Sequence, residues 1–366
     1  MKTGWFALWL IASLMAAGCE GEATDGGAGA AGGAGPGGEG GMGAGGAAGG
    51  AGGDGGEAGN GGSGGVGGAP EVGTRVFVLS QNLGVASFVN AEQASGAVEA
   101  KTFLNAGPDT EMYGPRDLEL DTAGTLYVAS ENDGSVVMYA NAKEATGLVT
   151  PARRLAGGAT GIVAPIALAI DRVGDELYVT NSGASGAVDT SIRVFPSAAT
   201  VDGDVAPSRT IEPNVPSFSP ISLTFANGSL YAVTQTTNSS AVLVFEGAAG
   251  ASGLVTPTRT LSQASFGSAA SVHVTAAGRV VVVDEAESVF IFEPGEVDPS
   301  VVFQIGGASG LSAIHALSNG AFLFADRSAN VVFALDAGLP EAAGLVAPTR
   351  SFEAGEILLP GAIVSN

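Results

Sequence analysis

Residues 165 to 181 read Pro-Ile-Ala-Leu-Ala-Ile-Asp-Arg-Val-Gly-Asp-Glu-Leu-Tyr-Val-Thr-Asn. Two apolar, β-favouring runs, Pro165 to Asp171 and Leu177 to Val179, flank a turn at Val173-Gly174. Short runs of this kind, punctuated by glycine, predict paired strands rather than helix. The same unit recurs on either side. Its Leu-Tyr-Val centre returns as Val76-Phe77-Val78, Leu126-Tyr127-Val128, Leu230-Tyr231-Ala232, Val280-Val281-Val282 and Phe322-Leu323-Phe324. The six centres are spaced 50, 51, 53, 50 and 42 residues apart. A fixed period near 50 residues is the mark of a repeat architecture.

Each unit holds three further segments. A strand such as Val136 to Tyr139 or Val242 to Phe245 follows the centre by about ten residues. A third strand carries Pro-x-Arg in four units, at Pro151/Arg153, Pro207/Arg209, Pro257/Arg259 and Pro348/Arg350. The fourth segment precedes the glycine turn: Pro115 to Asp121, Pro165 to Asp171, Pro220 to Phe225, Ala270 to Thr275 and Ser312 to Leu317. Four short strands per unit describe an antiparallel blade. No stretch holds helical periodicity over the ten or more residues a helix needs. The predicted fold is therefore all-β, a six-bladed β-propeller of four-stranded antiparallel blades. Pro360 to Val364 matches the fourth segment, so the C-terminal segment is expected to pair beside Arg75 to Leu79 and close the ring. A β-helix, with coils of roughly 20 residues or fewer, does not fit this period.

Glu176-Leu177-Tyr178-Val179-Thr180-Asn181 resembles the Tyr-Val-Thr-Asn repeat of bacterial surface-type propellers. The wider Pro-x-x-Leu-x-x-Asp-x-x-Gly-x-Leu-Tyr-Val pattern resembles NHL-type repeats and six-bladed TolB-like propellers. The second and third units match best. WD40 and kelch patterns match less well. These resemblances imply an architecture, and function lies in sites placed upon it.

The N-terminal quarter reads differently. Lys2, an apolar run from Trp5 to Met15, and Ala16-Ala17-Gly18 before Cys19 describe a secretory signal peptide over residues 1 to 18. The apolar run is about half the roughly 20 residues a membrane-crossing helix needs. Small residues before Cys19 resemble the lipobox of bacterial lipoproteins. The resemblance implies cleavage before Cys19, lipid attachment to its sulfur, and a membrane partner reached through that lipid. Residues 19 to 73 form a Gly/Ala-rich tether: 28 of the chain's 59 glycines lie between Glu20 and Gly73, with seven acids and no base. Such a composition buries too little apolar surface to offset the entropy of ordering, so a disordered linker is expected. Its ends should lie roughly 40 Å apart. Residues 74 to 366 make the propeller. The expected address is a bacterial cell envelope, at the outer membrane or cell surface rather than the inner membrane.

The whole chain carries a formal charge of −22. A nucleic-acid partner needs a basic footprint, which this chain lacks. Acidity favours a soluble monomer. Cys19 is the only cysteine, so disulfides and thiol catalysis are excluded from the rest of the chain. No nucleophile elbow, phosphate loop, zincin or EF-hand pattern occurs. Both tryptophans, Trp5 and Trp9, lie in the signal segment.

Counting from each glycine turn, His273 and His315 occupy one position of the fourth segment in adjacent units. Glu119, Ala169, Thr224 and Val364 are the equivalents. Two residues earlier stand Asp117, Ala167, Ser222, Ser271, Ala313 and Ala362. Period-two alternation puts both sets on one strand face, expected to line the central channel. His273, His315 and Glu119 form a candidate divalent-metal site, two imidazoles and a carboxylate being suitable ligands. The alternative is a pair of polar residues lining a water-filled channel. A second set, Ser80, Ser130, Asn181, Thr234, Asp284 and Asp326, is expected as solvated turn residues at the rim. The functional expectation is a binding or scaffold propeller displayed on the envelope, its protein or small-molecule ligand unspecified. A metal-dependent hydrolase or lactonase of the gluconolactonase-like type, and a structural surface protein, are the alternatives.

Overall fold

The computed structural model describes residues 73–182, 191–235, 239–263 and 266–366. All of them lie in one compact unit, Gly67–Asn366. The signal segment, Cys19 and almost all of the tether lie outside the described residues. Six sheets radiate as blades, each built on four antiparallel strands. The innermost strands are Pro360–Ser365, Pro115–Leu120, Pro165–Asp171, Pro220–Ala226, Ala269–Val274 and Leu311–Ala316. Each packs against the next, and Leu311–Ala316 returns to Pro360–Ser365, so the ring is complete. Closure is as the repeat spacing predicts. The last strand pairs antiparallel with Val76–Ser80, with Val76 opposite Ser365 and Phe77 opposite Val364.

The blades stack face to face, and this explains the sequence pattern. The second strands Val76–Ser80, Leu126–Ser130, Val280–Asp284 and Phe322–Asp326 are buried at every position. A strand covered on both faces reads as a continuous apolar run rather than an alternating one. Six separate clusters fill the six gaps. Between the first two blades, for example, Phe77, Leu79 and Val364 meet Leu118, Leu120 and Val128.

The outer edge holds a repeat that Pro-x-Arg only partly captured. All six units contain Gly-x-Val before the outermost strand: Gly96, Gly147, Gly203, Gly253, Gly295 and Gly344. Each of these glycines has a left-handed backbone, with φ from 68° to 139°. Five of the six lie in a parallel bridge to the outermost strand of the preceding blade, as Gly253 does with Ile211 and Gly344 with Phe303. An edge otherwise open to strand addition is thereby covered.

The Pro-x-Arg arginines staple the same junctions. Arg153 donates to the carbonyls of Ala198 and Val201 in the next blade, at 3.0 and 2.8 Å. Arg209 donates to Ala248 and Ala251 at 2.9 and 2.7 Å, pairs with Glu176 and lies over the Tyr178 ring. Arg350 reaches Ala94 across the closure at 2.8 Å. Two blades lack this arginine, with Thr102 and Val301 in its place. In both, an arginine stands instead just before the second strand. Arg75 donates to the Lys143 carbonyl, and Arg279 pairs with Glu341 of the next blade. One guanidinium per blade is thus preserved by two routes.

Candidate functional site

Every innermost strand begins with an irregularity in its pairing, such as that between Pro115 and Leu118 or Leu311 and Ala313. Opposite it sits the rim set. These six residues are buried rather than solvated, between 0% and 5% exposed. Each locks the loop that leads into its own inner strand. Asp326 accepts from the backbone nitrogens of Ser309, Gly310, Ser328 and Ala329, at 2.6 to 3.0 Å. Asp284 accepts from Gly267, Ser268 and Ala286. Asn181 accepts from Val163 and donates to Gly161, and Thr234 accepts from Ser219. Ser130 and Ser80 accept from Tyr113 and Leu358. The expectation of solvated turn residues fails because these loops present unpaired N–H groups, and a buried acceptor satisfies them.

Past the irregularity the strands alternate as expected, and their polar side chains surround a central cavity of about 230 Å³. Five of these side chains reach the following blade. Asp117 accepts from Leu168 N at 2.8 Å, one blade on. Thr224 donates to Val272 O at 2.7 Å, and Ser312 to Pro360 O at 2.5 Å. Glu119 pairs with Arg172 at 3.0 Å, and Arg172 also donates twice to Leu120 O. His315 Nε2 lies 2.8 Å from Ser365 Oγ. Between the first and second and the third and fourth blades, Ala362, Val364, Ala167 and Ala169 pack apolar instead. The result is a belt of contacts joining inner strands that share no sheet.

The two histidines are brought together. Their ring centres lie 6.0 Å apart at 68°, and His273 also packs edge-on against Phe322 at 6.0 Å. Glu119 does not join them, its carboxylate being committed to Arg172. Among the described residues, no group of three His, Cys, Asp or Glu side chains converges closely enough to hold a metal ion.

Burial sets the charge states. It pushes Asp117 up to about 8, against its two backbone N–H donors and reinforced by Glu119. It pushes Glu119 up to about 7, against the pull of Arg172. It lowers His273 to about 4 and His315 to about 3, the latter helped by His273 and Arg172. Both imidazoles are therefore neutral at pH 7 and keep a lone pair for a ligand.

Sequence reasoning missed Arg172 and Ser365. Arg172 directly follows the inner strand Pro165–Asp171 and reads as an ordinary turn residue, while its guanidinium crosses to Glu119 and Leu120 of another blade. Ser365 becomes a histidine partner only when the ring closes.

No protein-family model matches the chain, and no curated protein matches it. Solved structures do. A chain from a crystallised nidogen/laminin complex is 14% identical, with a TM-score of 0.59, covering 80% of this chain and 98% of its own. A protein of unknown function from Bacteroides caccae is 11% identical, with a TM-score of 0.56, covering 80% and 99%. At such identities the likeness is one of fold.

Proposed function

We propose that this protein is an envelope-anchored lipoprotein that displays its propeller as a binding or scaffold module, held at the outer membrane or cell surface by lipid on Cys19. The observation that carries this reading is the closed ring, locked at its rim, belted at its channel and stapled at its edge. Such a body needs no other chain to complete its core, and it follows a Gly/Ala-rich segment suited to a tether. Propellers present loops on a stiff frame, which suits recognition. The net charge favours a monomer and disfavours nucleic acid. Against a lactonase-type centre, no three His, Cys, Asp or Glu side chains among the described residues converge to hold a metal ion.

The test is a pull-down from envelope extract with the lipidated chain as bait. A scrambled-tether chain without the propeller serves as control. Recovery of a defined partner by the propeller alone is the expected result. Identical recoveries from both baits would leave a surface protein without a specific ligand.

A further inference from the structure

In the belt around the channel, Asp117, Glu119, Thr224, Ser312 and His315 each hydrogen-bond toward the next blade. His273 does not. It faces the cavity among the described residues with ring neighbours, His315 and Phe322, and no hydrogen bond. Its ring is half-buried and open to the cavity, so water or another ligand is what its nitrogens can meet there. Two other junctions also lack such a bond, but alanine and valine fill them, whereas here two imidazoles lie side by side.

We propose that His273 and His315 form a two-imidazole site for a late first-row divalent metal ion, zinc being the test case, which links the fifth blade to the sixth. Zinc bonds imidazole nitrogen at about 2.0–2.1 Å, and a ring nitrogen lies about 1.1 Å from its ring centre. Two rings on one ion therefore have centres up to about 6.4 Å apart. The observed 6.0 Å falls inside that limit with a bent arrangement. Ser365 engages Nε2 of His315, which fixes the ring and leaves Nδ1 for the ion. A hydrogen-bonded second ring nitrogen is the usual support of a ligating histidine. The remaining coordination falls to water. The cavity of about 230 Å³ has room for several. Arg172 keeps Glu119 out of the set, so the site is neutral-ligand and selects a metal suited to imidazole over calcium or magnesium.

This inference gives the binding-module reading one ligand of its own, and the two fail separately. A partner recovered equally with and without chelator leaves the module intact whatever the titration shows. The titration uses the full, tag-free chain in detergent, with zinc chloride and calcium chloride as probes. Expected are one zinc per chain, no calcium heat, and loss of the zinc heat in His273→Gln/His315→Gln. Ser365→Ala, which removes no ligand and leaves the strand pairing intact, should weaken zinc by ~10-fold or more. That second variant decides the matter if the double variant melts early. Absent zinc heat in the wild type would overturn the site. So would zinc binding of unchanged strength in Ser365→Ala and in a folded double variant.

Discussion

Asp117 carries the clearest pH signature in the molecule. Its folded pKa lies near 8, well above the ordinary carboxylate value, because burial disfavours its charge. The folded chain therefore holds a proton that the unfolded chain has released, across the window from about 4 to 8. Stability falls as pH rises through that window. The buried histidines act oppositely, but only below their ordinary 6.5, where the unfolded chain gains protons that the folded one refuses. Between pH 6.5 and 8 the carboxylates act alone. Asp117→Asn should reduce the drop in melting temperature between pH 6.5 and 8, read by circular dichroism. An undiminished drop would assign the slope to Glu119. Arg209 is the second telling residue. Its head group serves two carbonyls of the next blade and Glu176, with both side chains largely buried. Removing one partner of a buried pair costs roughly 3 kcal/mol or more. Arg209→Leu should lose that much in urea denaturation, and Arg209→Leu/Glu176→Gln should recover part of it.

At the scale of the element, strands and their order were legible in the sequence because blades repeat and each second strand is buried on both faces. Tyr178 in Leu-Tyr-Val and Gly174 before it sufficed to place a hairpin. Side-chain partners were not legible. The rim aspartates Asp284 and Asp326 read as exposed turn acids, yet they are 0% exposed and hold backbone N–H groups. Nothing in a single strand shows that the adjacent loop will fold over it. The histidine position was found by alignment of the repeats, whereas the removal of Glu119 by Arg172 depends on a contact between blades. Gly-x-Val was overlooked because its glycines lie in loops of changing length. Gly253 tests the motif. Its φ is +69°, and an added Cβ would meet nothing within 4 Å, so strain alone is at issue. Gly253→Ala should cost about 1–2 kcal/mol, the penalty for an L-residue in the left-handed region. A neutral substitution in chemical denaturation would mean that this outer bridge relaxes freely.

For the whole molecule, closure of the ring is the structural commitment. The strand Pro360–Ser365 pairs with Val76–Ser80, and Ser312 and His315 reach it from the sixth blade. Deleting the last six residues removes the inner strand of one blade and exposes an unpaired edge. Aggregation or a large loss of thermal stability is expected, seen by light scattering during a melt. Deleting residues 20 to 70 should leave the melting temperature almost unchanged, since so Gly/Ala-rich a sequence has little apolar side chain to offer a core. The proposed anchor lies toward the other end of the chain. Cys19 is its only thiol, and a chain carrying two or more acyl groups stays on a bilayer far more firmly than one carrying a single group. Detergent phase partitioning of the wild-type protein against Cys19→Ala tests this most directly. The account predicts wild type in the detergent phase and the variant in the aqueous phase; equal partitioning of the two would contradict it.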